Sequence, residues 1–326
     1  METLNSITPE LIRIVMAVVG GVVIVFGNAL VMGYLERKLA GHFQRRPGPM
    51  EVGFHGILQL LIDGVKLMGK QLVVPAQADK KLFMLAPMLS FVPVFLPLLV
   101  IPFSDKMQAF DLDVGLLFIL AVAAINVLAI LVGGWGSNNK YSLFGAFRSV
   151  AQNVAYEIPM LISLLAIVFM TNTFSLKGIV EAQNIWFVVL QPVAFLIYLV
   201  CMVAETNRAP FDLPEAESEL TAGFHTEYSG MGFSLFMMAE YTNMFICCSI
   251  ATVFFLGGTS GIPLPYFEYT GAIWFVAKVY LLMFFLVWIR WTYPRTRFDQ
   301  LMNLCWKYLI PFSLVNLLIT VVVVKL

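Results

Sequence analysis

Along the chain, apolar residues gather in eight long stretches, about 11–35, 81–103, 114–134, 149–171, 184–205, 233–257, 272–293 and 305–324, with short polar segments between them. Each approaches the ~20 residues that a helix needs to cross the hydrocarbon of a bilayer. Strands of a membrane barrel need only ~9–11 residues and alternate in polarity, which these runs do not. The pattern predicts an all-α polytopic membrane protein with eight transmembrane helices, a single integral membrane domain over residues 1–326. The first run follows Glu2 and Glu10 rather than a basic segment. It ends in "YLERK" with no small-residue cleavage site, so it reads as a retained helix rather than a signal peptide.

A different periodicity occupies residues 54–71. Gln59, Asp63, Lys66 and Lys70 recur at steps of four, three and four, and Ile57, Leu61, Val65 and Met68 follow a similar spacing on another face. That is an amphipathic helix, too charged and too short to span, and it should lie in the plane of the membrane interface. It serves either as a surface anchor or to present Asp63 and Lys66 to a cavity roofed by partner subunits, and periodicity does not choose. Just before it, "RRPGP" forces a turn beside Arg45 and Arg46. Such a turn either docks a partner or merely connects.

Composition agrees with the apolar pattern: 60% of residues are hydrophobic and 12% charged, with mean hydropathy +0.86. The segments around 36–81, 135–149, 206–232 and 290–307 hold fifteen of the 20 Lys and Arg, which makes that side cytoplasmic and puts both termini outside. All six tryptophans fall near predicted helix ends, as an interfacial aromatic belt requires. Lys and Arg equal Asp and Glu at 20 each, so there is no basic footprint for nucleic acid. Cys201, Cys247, Cys248 and Cys305 lack CxxC spacing and read as small hydrophobes. His42, His55 and His225 all lie outside the predicted spans, which rules out a haem held by paired histidines between helices. No phosphate-binding glycine loop or nucleotide fingerprint occurs. The chain is expected to carry no metal, haem, flavin or iron–sulfur cluster.

The remaining charges are the candidate chemistry. The loop 206–232 concentrates Asp212, Glu215, Glu217, Glu219 and Glu227 against Arg208 and His225. Like charges held close raise some carboxyl pKa values, which suits groups that take up and release protons. The plainer alternative is a solvated acidic loop. Glu157, Glu205, Glu240 and Lys278 fall within or at the ends of apolar runs. A charge at mid-helix costs roughly 2.5–3.5 kcal/mol on insertion scales, so such groups face a wet interior or a partner. Glu205 and Arg208 are three apart and could pair locally. Glu157 and Glu240 have no partner within a turn, which leaves an interhelical hydrogen bond or a proton relay.

Two segments, "GILQLLIDGVKL" (Gly56–Leu67) and "PFDLPEAESELTAG" (Pro210–Gly223), resemble the signatures of one family, the H subunit of bacterial respiratory complex I, equivalent to mitochondrial subunit one. "LERK", "NNKYSLFGAFR", "AQNVAYE", "AETNRAPFD", "EYSGM" and "YPRTRFDQLM" are similar to it as well, so the likeness runs nearly end to end. The resemblance implies a subunit of a proton-translocating NADH:quinone oxidoreductase in a bacterial cell membrane. Quinone would be a substrate bound together with partner subunits. Those partners would be the peripheral-arm quinone-site and iron–sulfur subunits, the small membrane subunits nearby and membrane lipid. By matching motif, Glu36, Arg37, Arg45, Arg46, Asp63 and Lys66 would line or border a quinone chamber. Arg208, Asp212, Glu215, Glu217, Glu219 and Glu227 would form an acidic coupling loop. Glu157, Glu205, Glu240, Lys278 and Arg290 would carry a proton path into the membrane arm. The chain departs from the family at Gln71, where many relatives have Glu, and at Met50, where many read Asn.

Three rival classes remain on sequence, one of them a pure structural anchor, whose buried acids would tolerate neutral replacement. A proton-coupled secondary transporter should show paired broken helices in related halves, and no internal repeat is found. The equivalent subunit of a related complex fed by ferredoxin or a deazaflavin differs in an electron donor that binds other chains.

Overall fold

The computed structural model describes residues 2–104, 107–261 and 270–325, with side chains from residue 15 onward and without those of 217 and 218. Regular structure among the described residues is entirely helical. α1 (Glu2–Phe43) continues past the predicted boundary at 35, because no breaker occurs before the "RRPGP" turn, and so carries Glu36 and Arg37 as helical residues. After a 3-10 turn at Phe54–Gly56 comes α2 (Gln59–Gly69), shorter than the expected 54–71. α3 (Lys80–Phe91) starts where the Asp79 carboxylate accepts the backbone N–H groups of Lys81 and Leu82 at 3.0 and 3.4 Å. The chain turns at Pro93 before α4 (Phe95–Val100).

α5 (Gly115–Gly136) and α6 (Lys140–Thr171) form a hairpin. Asn139 caps α6, and Asn172 closes it in a left-handed conformation. The two helices meet backbone to backbone at Gly134, where a Cβ would come within 2.4 Å of the Ala146 Cβ. Small residues permit that approach where no hydrophobic force drives helices together. Then follow α7 (Leu176–Glu181), α8 (Phe187–Leu190), α9 (Pro192–Glu205), α10 (Glu217–Leu220), α11 (Gly230–Phe255), α12 (Thr270–Thr292), α13 (Phe298–Leu304) and α14 (Ile310–Lys325). A π turn at Cys305–Leu309 joins the last two.

Among the described residues seven spans are long and apolar enough to cross a membrane, α3 with α4 and α13 with α14 counting as one each, where the sequence leads to eight. The shortfall is the stretch 184–205. Pro192 supplies no N–H, so the chain kinks at Gln191 and leaves α9 with only 14 residues.

α11 is the axis of the fold. It packs against α1, α2, α3, α9 and α12, and 83% of its most apolar window is buried, against 22% for α1 and 17% for the span 298–325. Its buried hydroxyls are satisfied within the helix: Thr242, Ser249 and Thr252 each donate to the carbonyl four residues back at 2.7–2.8 Å. The cysteines at 201, 247, 248 and 305 are buried and free. A smaller cluster of Phe83, Ile130, Ala146, Phe224, Tyr228 and Phe236 pins the loop after α9 onto α3, α5 and α6. There Gly223 adopts φ +57°, and a Cβ on it would lie 1.7 Å from the Pro214 carbonyl oxygen, so no other residue fits.

Candidate functional site

The acids and bases of four separate segments converge beside α11. α1 brings Glu36, α12 brings Arg290 from its last turn, the loop after α9 brings Arg208, Glu215 and His225, and α11 itself brings Glu240 and Tyr241. Glu36 accepts from both arginines: Arg208 Nη1 lies 3.3 Å from Oε1, and Arg290 pairs with the same oxygen. The Tyr241 hydroxyl donates to Glu36 Oε2 at 2.8 Å, and its ring lies 4.8 Å from the Arg208 guanidinium. On its other side Arg208 Nη2 stands 3.8 Å from Glu240 Oε2. Glu240 Oε1 is 3.5 Å from His225 Nε2, which in turn is 2.9 Å from Glu215 Oε1. The result is an unbroken line, Arg290–Glu36–Arg208–Glu240–His225–Glu215. Glu36, Arg208 and His225 are 6, 8 and 5% exposed. Buried charges persist only when paired, and this line is neutral when His225 is protonated.

Titration of the loop follows from these contacts. For His225, burial opposes protonation, but hydrogen bonds and charge from Glu215 and Glu240 outweigh it and raise the imidazole to about 9. For Glu215, burial pushes the carboxyl up, and the His225 hydrogen bond and charge outweigh that and hold it below the usual carboxylate range. Asp212 goes the other way. Burial first and the Glu215 charge second lift it to about 6, although Arg295 lies 2.8 Å away.

Two cavities lie beside α11, and the first opens on this line. One, of about 670 Å3, is polar and lies among Glu36, Arg37, Arg46, Arg208, Glu215 and Arg290. The other, of about 430 Å3, lies between α1, α2 and α11 and is walled largely by Phe26, Leu60, Met68, Met231, Phe233 and Met238. They share Arg37, Met237 and Tyr241. Asp63, turned into the apolar cavity, pairs with Arg37 at 2.6 Å. Burial raises the Asp63 carboxyl, and hydrogen bonds from Arg37 and Gln59 with the charges of Arg37 and Lys66 together outweigh it, for a net lowering.

Other residues singled out on sequence are dispersed. Arg45 and Lys66 are exposed and line neither cavity. The acids of the loop do not cluster: Glu219 pairs with Arg148 at the surface, Glu227 accepts from the Asn139 side chain at 2.6 Å, and the side chain of Glu217 lies outside the described residues. Glu205 does not take Arg208 as its partner. It accepts instead from Asn243 at 3.5 Å and borders a water-sized void of about 30 Å3 with Ser90 and Asn126. The reversal at Asn207, φ 48°, turns Arg208 away from α9. Glu157 is half-buried on α6, within electrostatic reach of Glu205. Lys278 stands apart, beyond the far end of α11, donating to the carbonyls of Leu256, Gly258 and Ser260 at 2.7, 3.0 and 2.6 Å.

Sequence reasoning missed Tyr241 and Trp291 in the wall of the polar cavity and Asn243 beside Glu205. The first and last follow Glu240 in "AEYTN", a polar island inside an apolar run, and that was the available signal.

Comparison with known proteins gives one answer. A family model described as NADH dehydrogenase matches residues 15–321. The chain is 48% identical over 328 residues to the H subunit of the NADH-quinone oxidoreductase of Desulfotalea psychrophila (strain LSv54 / DSM 12343), covering 97% of this chain and 98% of that protein. It is 43% identical over 332 residues to the protein of the same name from Geobacillus sp. (strain WCH70), covering 100 and 99%. With that of Dehalococcoides mccartyi (strain CBDB1) it shares 49% over 304 residues, covering 91% of this chain and 84% of the relative.

Proposed function

Because this chain belongs to the NADH dehydrogenase family of NADH-quinone oxidoreductase H subunits, we propose that it forms part of the quinone chamber of a complex I and links quinone reduction to proton movement. It is a membrane subunit of an H+-translocating NADH:quinone oxidoreductase. One observation carries the finer reading: an apolar cavity and a polar one adjoin at Arg37, Met237 and Tyr241, and the polar one is bounded by the buried ion-pair line. A quinone has the same two-part chemistry, a hydrocarbon tail and a polar ring, so the tail fits between α1, α2 and α11 while the ring reaches the arginines.

Reduction to quinol takes two electrons and two protons. Electrons arriving ahead of protons put negative charge into the polar cavity, and Arg37, Arg208 and Arg290 are the cations that meet it. Arg208 lies between Glu36 and Glu240, 3.3 and 3.8 Å away, so a shift of the guanidinium strengthens one ion pair at the expense of the other. In this reading that shift carries the charge change to Glu240 and on towards Glu205 and Glu157. Lys278, at the far side, is outside the path.

In the bilayer, α8 and α9 together serve as the eighth crossing, α2 lies along the interface, and the acidic loop faces the cytoplasm with both termini opposite. The peripheral-arm subunits cover the polar cavity, and small membrane subunits and lipid cover the outer helices. A photoreactive quinone analogue on the intact complex tests the chamber. Labelling should fall on residues 26–68 and 231–241. Labels confined to co-purified chains would remove this protein from the chamber.

A further inference from the structure

We propose that Glu215, His225 and Glu240 form a reversible binding site for a divalent transition metal of the zinc type, which clamps the loop after α9 onto α11. Oε1 of Glu215, Nε2 of His225 and a carboxylate oxygen of Glu240 all lie within 4.8 Å of one another. Two of the separations are 2.9 and 3.5 Å. Zinc bonds of about 2.0–2.1 Å in tetrahedral array place neighbouring ligand atoms about 3.3 Å apart, so the two His225 sides already match and the third has at most about 1.5 Å to close. One imidazole and two carboxylates with a fourth position open is also a donor set that zinc accepts.

Two further observations point to a ligand. Glu240 Oε1 is shut off from solvent, and its contact is His225 Nε2 at 3.5 Å, the far limit for a hydrogen bond. Its other oxygen, Oε2, is the one facing Arg208 at 3.8 Å, so a metal on Oε1 leaves that ion pair in place. The imidazole is already oriented: the rings of Phe224, Phe233 and Phe236 surround it at 3.7, 5.5 and 5.4 Å between centroids. Glu215 lines the polar cavity, which gives an ion its route in.

Binding replaces one proton on Nε2 by the dication, so one proton leaves and the line gains one positive charge. Arg208, Glu36 and Arg290 are the charges that feel the change. The bond ties a segment of the loop to α11, and the loop can then no longer follow any rearrangement of Arg208. The metal is therefore expected to inhibit turnover, an effect that rests on the function proposed above, whereas binding itself does not.

The test uses the purified complex and zinc alone. Equilibrium dialysis with elemental analysis should show His225→Ala binding one zinc fewer per complex than wild type. His225→Cys, which restores a ligand, should recover it. Inhibition, scaled to each variant's own zinc-free rate, should need at least tenfold more metal in His225→Ala, since losing even an outer-shell partner of a ligand typically costs about 10–100-fold. If His225→Ala does not assemble, X-ray absorption on wild type decides: imidazole and carboxylate scattering on a four- or five-coordinate zinc supports the site. Unchanged stoichiometry in His225→Ala, or zinc bound only in six-coordinate, imidazole-free form, overturns it. Stoichiometry is read without quinone, so failure of the chamber proposal would leave this result standing.

Discussion

Two regions of α11 handle buried charge in opposite ways. Beside its first half, Glu240 belongs to a line of six ionisable side chains drawn from four segments. Beyond its last turn, Lys278 is a single cation held by three backbone carbonyls and the face of Trp186, 5.0 Å from the ring centroid. Carbonyls cannot change charge or leave, so the lysine has one stable arrangement. Carboxylates and guanidinium groups can exchange partners, so the line has several. Under the proposed function, the charges that matter are those whose partners are themselves able to move or titrate.

The largest expected effect breaks the mobile half. Glu36→Gln removes the anion shared by Arg208, Arg290 and Tyr241. Losing one partner of a buried pair costs about 3–5 kcal/mol of stability, and quinone-reductase turnover by whatever complex still assembles should fall far below wild type. Turnover near wild type would separate the line from the chemistry. Next, Lys278→Met should lower the thermal stability of the detergent-solubilised complex by about 1 kcal/mol, since of the three carbonyls left behind only that of Gly258 belongs to a buried residue. Turnover of the folded fraction should hold, and its loss would put Lys278 back in the proton path.

A smaller effect sharpens the comparison through pH. Asp212 is raised from 3.8 to about 6 in the folded chain, so its contribution to stability is present below pH 3.8 and is lost as pH rises through about 6. Protection factors of the segment 208–220, with intrinsic base-catalysed exchange divided out, should therefore fall across that window in wild type and show no such step in Asp212→Asn. The smallest change is expected at the surface. Arg148 and Glu219 are 30 and 49% exposed, so Arg148→Ala should alter stability by about 0–1 kcal/mol and leave turnover alone. A larger loss would show that α6 holds the loop through this pair.

How much was legible in the sequence depends on the range of the interaction. Apolar runs gave the helices because crossing a bilayer is a local property of about 20 residues. The same runs hid the breaks at Pro93 and Pro192, since hydropathy does not register a missing N–H. Residues of the acidic loop could be named but not paired. Asp212, Glu215, Glu219 and Glu227 look like one cluster along the chain, yet each goes to a different partner, Arg295, His225, Arg148 and Asn139. The local pairing expected for Glu205 and Arg208 fails for the same reason. Glu36 lies 172 residues from Arg208 in sequence and reaches it only through the packing of α1 on α11.

The wall of the apolar cavity has a chemical cost of its own. Met68, Met231, Met237 and Met238 give it soft, adaptable sides that suit a long flexible guest. Thioethers are also what stray oxidants attack first, and each sulfoxide would plant a strong dipole in a passage made for hydrocarbon. An enzyme passing electrons near oxygen would wear at this lining, so its working lifetime would depend on the upkeep of four sulfur atoms.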